Sequence, residues 1–171
     1  MAGRQHEFDF AVRGGVGATV SEWQRQIKFI KPAKQGRIAV VLLSEKYFAC
    51  FVHFVEGRTI ACTATNCKWC AKGRRARWRY FVEAQTILTK TRGIIELGQR
   101  AGKVLEELLA ERGTLRGVMA VLERKGESEN AQIVLTNITT AETNGLPSES
   151  DWLGLLLSMW HAQIARGDEN E

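Results

Sequence analysis

A mainly β (α+β) fold is predicted for this chain by three observations. Five short runs are rich in β-branched and aromatic residues, one amphipathic helical segment lies between the third and fourth of them, and an apolar helical segment closes the sequence. The resulting order, β-β-β-α-β-β and then a C-terminal helix, is that of an OB-fold-like five-stranded barrel. At 171 residues the chain suits one domain large enough to bury a core.

Residues 1–22 contain Gly14, Gly15 and Gly17 and little apolar periodicity, which predicts a flexible N-terminal arm. The Gly-Gly-Val-Gly run follows no apolar strand and lacks a downstream Lys-Ser or Lys-Thr, so it does not read as a phosphate loop. The predicted domain spans 23–140. Its first part, Trp23 to Gln35, alternates basic or amide residues with Trp23, Ile27, Phe29 and Ile30 and reads as a mobile basic approach. Arg37 to Leu43 and Tyr47 to Val55 are predicted to form a β-hairpin about Ser44-Glu45-Lys46. Alternation along the second strand puts Phe48, Cys50, Val52 and Phe54 on a core face and Tyr47, Ala49, Phe51 and His53 on the other.

Residues 56–76 are then expected to leave the sheet at Gly57, and Trp78 to Leu88 to return as a third strand with Trp78 and Tyr80 in phase with Val82. Gln99 to Arg112 carries Ala101, Val104, Leu105, Leu108 and Leu109 at helical spacing and stops at Gly113. Leu115 to Leu122 and Ala131 to Ile138 supply the last two strands around the polar turn Arg124 to Asn130. Residues 147–166 read as a C-terminal helix with Ser148 as N-cap, too apolar for a free tail, which packs on the barrel or joins subunits. Residues 167–171 form an acidic tail.

Charge divides the chain. Trp23 to Tyr80 holds 13 Lys and Arg against Glu45 and Glu56, whereas Ile138 to Glu171 holds six acids and one Arg. The first half attracts polyanions with a salt-sensitive field, and the acidic end invites competition for the same groove. No apolar run approaches the roughly 18 residues of a membrane span, and Met1 to Arg13 has charges of both signs without an apolar block. The expectation is no membrane segment and a reducing cytoplasm, in which four cysteines are thiols or metal ligands.

Cys62, Cys67 and Cys70 lie within nine residues, and the Cys67-x2-Cys70 spacing places two thiolates on one tight turn. Zinc is the expected ion, pinning a loop over 53–72. The fourth ligand is His53 or Cys50, which alternation sends to opposite faces; His53 leaves from the face away from Phe48, Val52 and Phe54 and is preferred. Three thiolates and an imidazole leave no open coordination position. A deaminase-type site does not fit, because two residues separate His53 from Glu56 and no Pro precedes Cys67.

Around this loop cations and aromatics interleave. Trp69, Tyr47 and Phe51 are candidates for stacking on bases, Lys68, Lys72, Arg74 and Arg75 for contact with phosphates, and Arg77 and Arg79 for a place facing the groove. Only Glu45, Glu56 and Glu83 lie near the basic region, too few for a two-metal catalytic site, so no enzymatic activity is expected.

Through Val52-His53-Phe54-Val55-Glu56-Gly57-Arg58-Thr59-Ile60-Ala61-Cys62, Cys67-Lys68-Trp69-Cys70 and Arg77-Trp78-Arg79-Tyr80, the chain resembles zinc-containing single-stranded-DNA-binding proteins of phages and mobile elements, over about residues 37–138. The resemblance implies an OB-fold with a zinc loop, zinc ligation by His53, Cys62, Cys67 and Cys70, and a place along a cationic cleft for Arg58, Arg74, Arg75, Arg77 and Arg79. It also implies single-stranded DNA as partner in replication or recombination, in the cytoplasm of a bacterial or phage-infected cell, and an acidic C-terminus that meets replication proteins, while the apolar C-terminal helix is the segment that could join a second copy of the chain. RNA binding or transcriptional regulation is the alternative, and a zinc-dependent nucleic-acid enzyme a more distant one.

Overall fold

The computed structural model describes residues 28–128 and 131–169. The predicted N-terminal arm and the last two residues of the acidic tail lie outside them. Among the described residues seven strands, β1 (Arg37–Leu42), β2 (Phe48–Val55), β3 (Arg58–Ala61), β4 (Arg77–Thr86), β5 (Arg92–Gly98), β6 (Val118–Lys125) and β7 (Gln132–Thr140), pair in one antiparallel sheet. Among the same residues three helices accompany them: α1 (Lys68–Ala71), α2 (Gln99–Arg112) and α3 (Trp152–Glu169). Strand order runs β3-β2-β4-β1-β6-β7, with β5 on β4. No ladder joins β5 to β7 among the described residues, so the sheet is open where a closed five-stranded barrel was expected.

The ten-residue β4 organises the sheet. Its Tyr80 pairs with Ala49 of β2 on one edge and Leu97 of β5 on the other, while Ala84 pairs with Leu42 of β1 and Gly93 of β5. Strands β1 and β2 therefore lie end to end along the same edge of β4 and run in the same direction, and the predicted hairpin between them does not exist. Ser44-Glu45-Lys46 is instead an outward bulge. The N–H groups of Leu43 and Ser44 both donate to the Glu83 carbonyl, and the Glu83 N–H donates to Ser44 Oγ at 2.9 Å. The carbonyls of Leu42 and Glu45 accept from Gly117 and Leu115, and that of Leu43 from the Arg116 guanidinium. A bulge so completely hydrogen-bonded keeps the chain going straight.

Both faces of the β2–β4–β5 region are covered. On one, Tyr80, Val82, Leu97, Ala101, Leu105 and Leu122 form the main core beneath α2. On the other, Cys50, Val52, Phe81 and Ile94 pack against Trp152, Leu156, Met159 and Trp160 of α3. This double cover explains why strict alternation misread β2: Tyr47 and Ala49, given to the outer face, pack on the main core, while Phe54, given to the core, is 56% exposed. Trp78 and Tyr80 do share the face of Val82. Two strands went unread, β3 and β5, and the supposed approach segment adds to β5, with Ile30 N–H donating to Ile94 O and Ile94 N–H to Lys28 O.

Helix α2 has the predicted bounds. Helix α3 starts later than expected, with Asp151 rather than Ser148 accepting from the first turn at Gly154 N–H. Its approach is fixed by a buried carboxylate: Glu83 accepts from Arg92, Ser150 Oγ and Ser150 N–H at 2.6–3.0 Å. Trp160 then ties the helix to β3 by donating Nε1–H to the Thr59 carbonyl at 2.8 Å. Among the described residues no helix is long and apolar enough to cross a membrane.

The packing of α2 on β4 depends on Gly102, where a Cβ would overlap the Tyr80 ring. That ring cannot swing aside freely, because its hydroxyl donates to Glu106 Oε1 at 2.6 Å. Gly102→Ala is expected to lower unfolding free energy by about 1–3 kcal/mol despite the better helix propensity of alanine, as checked by denaturant unfolding.

Candidate metal centre and nucleic-acid interface

Strands β2 and β3 are joined by Glu56-Gly57, with φ of 48° and 77°, the two consecutive positive values of a type I′ hairpin turn. The hairpin pairs His53 with Ile60, and the Cys62 N–H, just beyond β3, donates to the Phe51 carbonyl at 2.8 Å. His53 and Cys62 thus arrive on the same side of neighbouring strands. The chain next turns through Ala64 and Asn66, both at positive φ, and enters α1 with Cys67 at the N-cap position. Cys70 follows one helical turn later.

His53 Nε2 lies 3.3 Å from Cys67 Sγ and 3.4 Å from Cys70 Sγ, and Cys62 Sγ is 3.6 Å from Cys70 Sγ. All four ligand atoms fall within 4.8 Å of one another. A tetrahedral ion with metal–sulfur bonds near 2.3 Å and metal–nitrogen near 2.0 Å has ligand separations of about 3.5–3.8 Å, close to the 3.3–3.6 Å of these three contacts. His53 is fully buried with sulfur as the only neighbour of Nε2 among these contacts, and its Nδ1 has no hydrogen-bond partner. An Nε2 that faces two thiol sulfurs is a suitable donor for a metal ion.

The electrostatics favour the thiolate at Cys67 and oppose it at Cys62. Burial opposes ionisation of Cys67, but the N–H groups of Cys70, Thr63 and Trp69 outweigh it and bring the thiol down to about 6. Cys62 is pushed up to about 12 by burial and by the neighbouring thiols, partly offset by the Ala64 N–H, so an ion must displace its proton. Cys50 is likewise pushed up to about 12, first by burial and then by the charges of Glu96 and Cys62, but it sits under α3 among Val52 and Phe81. It is a core residue, and the geometry brings His53 to the thiolates in its place.

The predicted nucleic-acid residues fall into three places. Around α1, the Trp69 ring has Lys68 Nζ at 5.1 Å, Lys72 Nζ at 5.7 Å and Arg74 Cζ at 6.0 Å, so its faces already carry cations. Arg75 is exposed beside them. On the α2 face of the sheet, Phe51 is 51% exposed and packs edge-on against Trp78, while Tyr47 is half-buried against Tyr80.

The third place is a cleft of about 610 Å³ on the α3 face. It unites Arg58, Arg77 and Arg79 with Phe29 and Lys31 of the expected basic approach segment, and with Phe54, Arg100 and Glu96, which the sequence did not mark as binding residues. Its walls come from the β2–β3 hairpin, from β4 and β5, from the start of β7 and from Met159 and Gln163 of α3. Arg79 Nε donates to Glu96 Oε1 at 3.1 Å, while Arg58 and Arg77 are exposed. Phe29 is 42% exposed, so two aromatic rings border a basic channel. The signal for Phe54 was the Glu56-Gly57 turn, which carries the last residues of β2 past the apolar stretch of α3. Tyr47, Phe51, Lys68, Trp69, Lys72, Arg74 and Arg75 do not line this cleft.

Comparison with protein-family models, with curated proteins and with solved structures finds no match to this chain.

Elemental analysis of purified protein should find one bound metal ion per chain, retained in Cys50→Ala and lost in His53→Ala. Loss from the first with retention in the second would exchange their roles.

Proposed function

We propose that this chain is a non-enzymatic, largely sequence-independent single-stranded-DNA-binding protein, of the zinc-containing type that serves replication and recombination in phages and mobile elements. Zinc is the ion for which three thiolates and one imidazole are the natural donors, and such a closed set serves structure rather than substrate. The observation that carries the function is the cleft in which exposed Phe54 and Phe29 are flanked by Arg58, Arg77 and Arg100. Aromatic rings that hold unpaired bases, beside cations that follow a phosphate chain, are the two requirements of strand binding without sequence readout.

Topology supports the same reading. Taking β1 and β2 as one interrupted strand, the order β1/β2, β4, β5, α2, β6, β7 is that of an OB-fold, with β3 and the metal loop inserted after the first strand and the pairing of the third strand with the last one missing. The cleft lies on the faces of β4 and β5, between that insertion and the β6–β7 connection, the surface such folds use for oligonucleotides. Among the described residues that line the cleft Glu96 is the only carboxylate, fewer acids than hydrolytic metal chemistry uses.

Fluorescence anisotropy with a labelled oligo-dT strand, its duplex and an oligo-rU strand across a salt series tests this. Expected are tight binding of the dT strand at low salt, weaker binding of duplex, and a linear fall of log K with log salt. Phe54→Ala should weaken dT binding by about 1–3 kcal/mol with the salt slope unchanged. Arg58→Ala should reduce that slope by about 0.7. Duplex bound as tightly as the single strand would refute the proposal, and rU bound in preference to dT would make RNA the partner.

A further inference from the structure

A carboxylate in a channel for phosphates costs affinity, and Glu96 is placed with care. Its Oε1 accepts from Arg79 Nε at 3.1 Å and its Oε2 from Thr59 Oγ1 at 2.9 Å, so one neighbour from β4 and one from β3 fix both oxygens. The pair is not buried: the Glu96 and Arg79 side chains keep 28% and 27% of their exposure. An ion pair that open adds little to stability, which leaves the cost to strand binding uncompensated if the pair is only structural. Each carboxylate oxygen has two lone pairs, so after these two bonds each still has one to offer the cleft.

Resting on the proposed strand binding, we propose that Glu96 is a specificity-determining residue that turns bases rather than phosphates toward the cleft floor and favours guanine among them. The negative charge repels a phosphate from the floor, while Arg58, Arg77 and Arg100, which line the same cleft, attract it to the rim. A base presented to two adjacent acceptors must offer two adjacent donors. Guanine does, with N1–H beside its N2 amino group. Thymine has a single N3–H between two carbonyls, and cytosine and adenine each set a ring acceptor beside their amino group. Thr59 and Arg79 hold the carboxylate in place at the floor, and the Phe54 and Phe29 rings supply the stacking that any base accepts.

The test compares an oligo-dT strand with strands carrying one central dG or one central dI, which lacks the N2 amino group, bound to native protein, Glu96→Gln and Thr59→Val. Native protein should bind the dG strand about tenfold more tightly than dT, as a bidentate contact confers, with the dI strand between. Glu96→Gln should lose the dG preference and bind dT more tightly than native protein does. Thr59→Val, which frees the carboxylate without removing its charge, should reduce the preference while leaving dT affinity unraised. Equal binding of dG and dT by native protein, or a preference that survives in Glu96→Gln, would overturn the role of Glu96 with strand binding intact. Failure of native protein to bind any of the three strands would instead overturn the function on which the inference rests.

Discussion

The loop from Cys62 to Lys72 has almost no packing of its own, and that constraint governs the rest of the site. Cys67 alone is buried among these residues, and α1 buries none of its four. Fixing a backbone costs roughly 1–2 kcal/mol per residue, and two of these residues, Ala64 and Asn66, sit in the left-handed region as well. Hydrophobic burial cannot offset such a cost here. Four ligand atoms within 4.8 Å of each other can, because ion binding free energy in such a loop is ordering free energy.

What the cluster orders is joined to the cleft through β2 and β3. His53 is the residue before Phe54, so the strand that gives the cluster its imidazole also gives the cleft its most exposed aromatic ring. The opposite side of the hairpin is held by Trp160 of α3, which donates to Thr59, whose hydroxyl in turn holds Glu96. The His53, Cys62, Cys67 and Cys70 cluster, the C-terminal helix and the cleft floor therefore meet on one eight-residue strand and its partner. Helix α3 is anchored in turn by the Glu83 carboxylate, buried but satisfied by Arg92 and Ser150, the condition under which a buried charge is tolerated.

Much of this could be read in the sequence where one local rule decided the outcome. The amphipathic period of Gln99–Arg112 stands alone, and three cysteines in nine residues with one nearby histidine admit few arrangements. The rule failed where two tertiary constraints overlap. Ser44-Glu45-Lys46 has turn composition, and only the carbonyl of Glu83 and the loop at 115–117 make it a bulge. Strand β5, Arg92–Gly98, begins and ends on residues that look like a loop, yet β4 and the 28–30 segment pair with it on both edges. Phe54 was given to the core because period-2 alternation says which face a residue shares, not how far the cover on that face extends. The cleft was hidden for the same reason: its residues come from segments as far apart as Phe29 and Gln163.

The claim that metal-dependent order in the loop is needed for strand binding is tested most directly by measuring oligo-dT affinity before and after chelation, and again after returning zinc or magnesium. The account expects affinity to fall on chelation, with native-like structure kept in the remaining sheet, and to recover with zinc and not with magnesium, whose preference for oxygen ligands does not suit three thiolates. Unchanged affinity in the fully chelated protein would contradict it, and would leave the cluster at His53, Cys62, Cys67 and Cys70 without a part in binding.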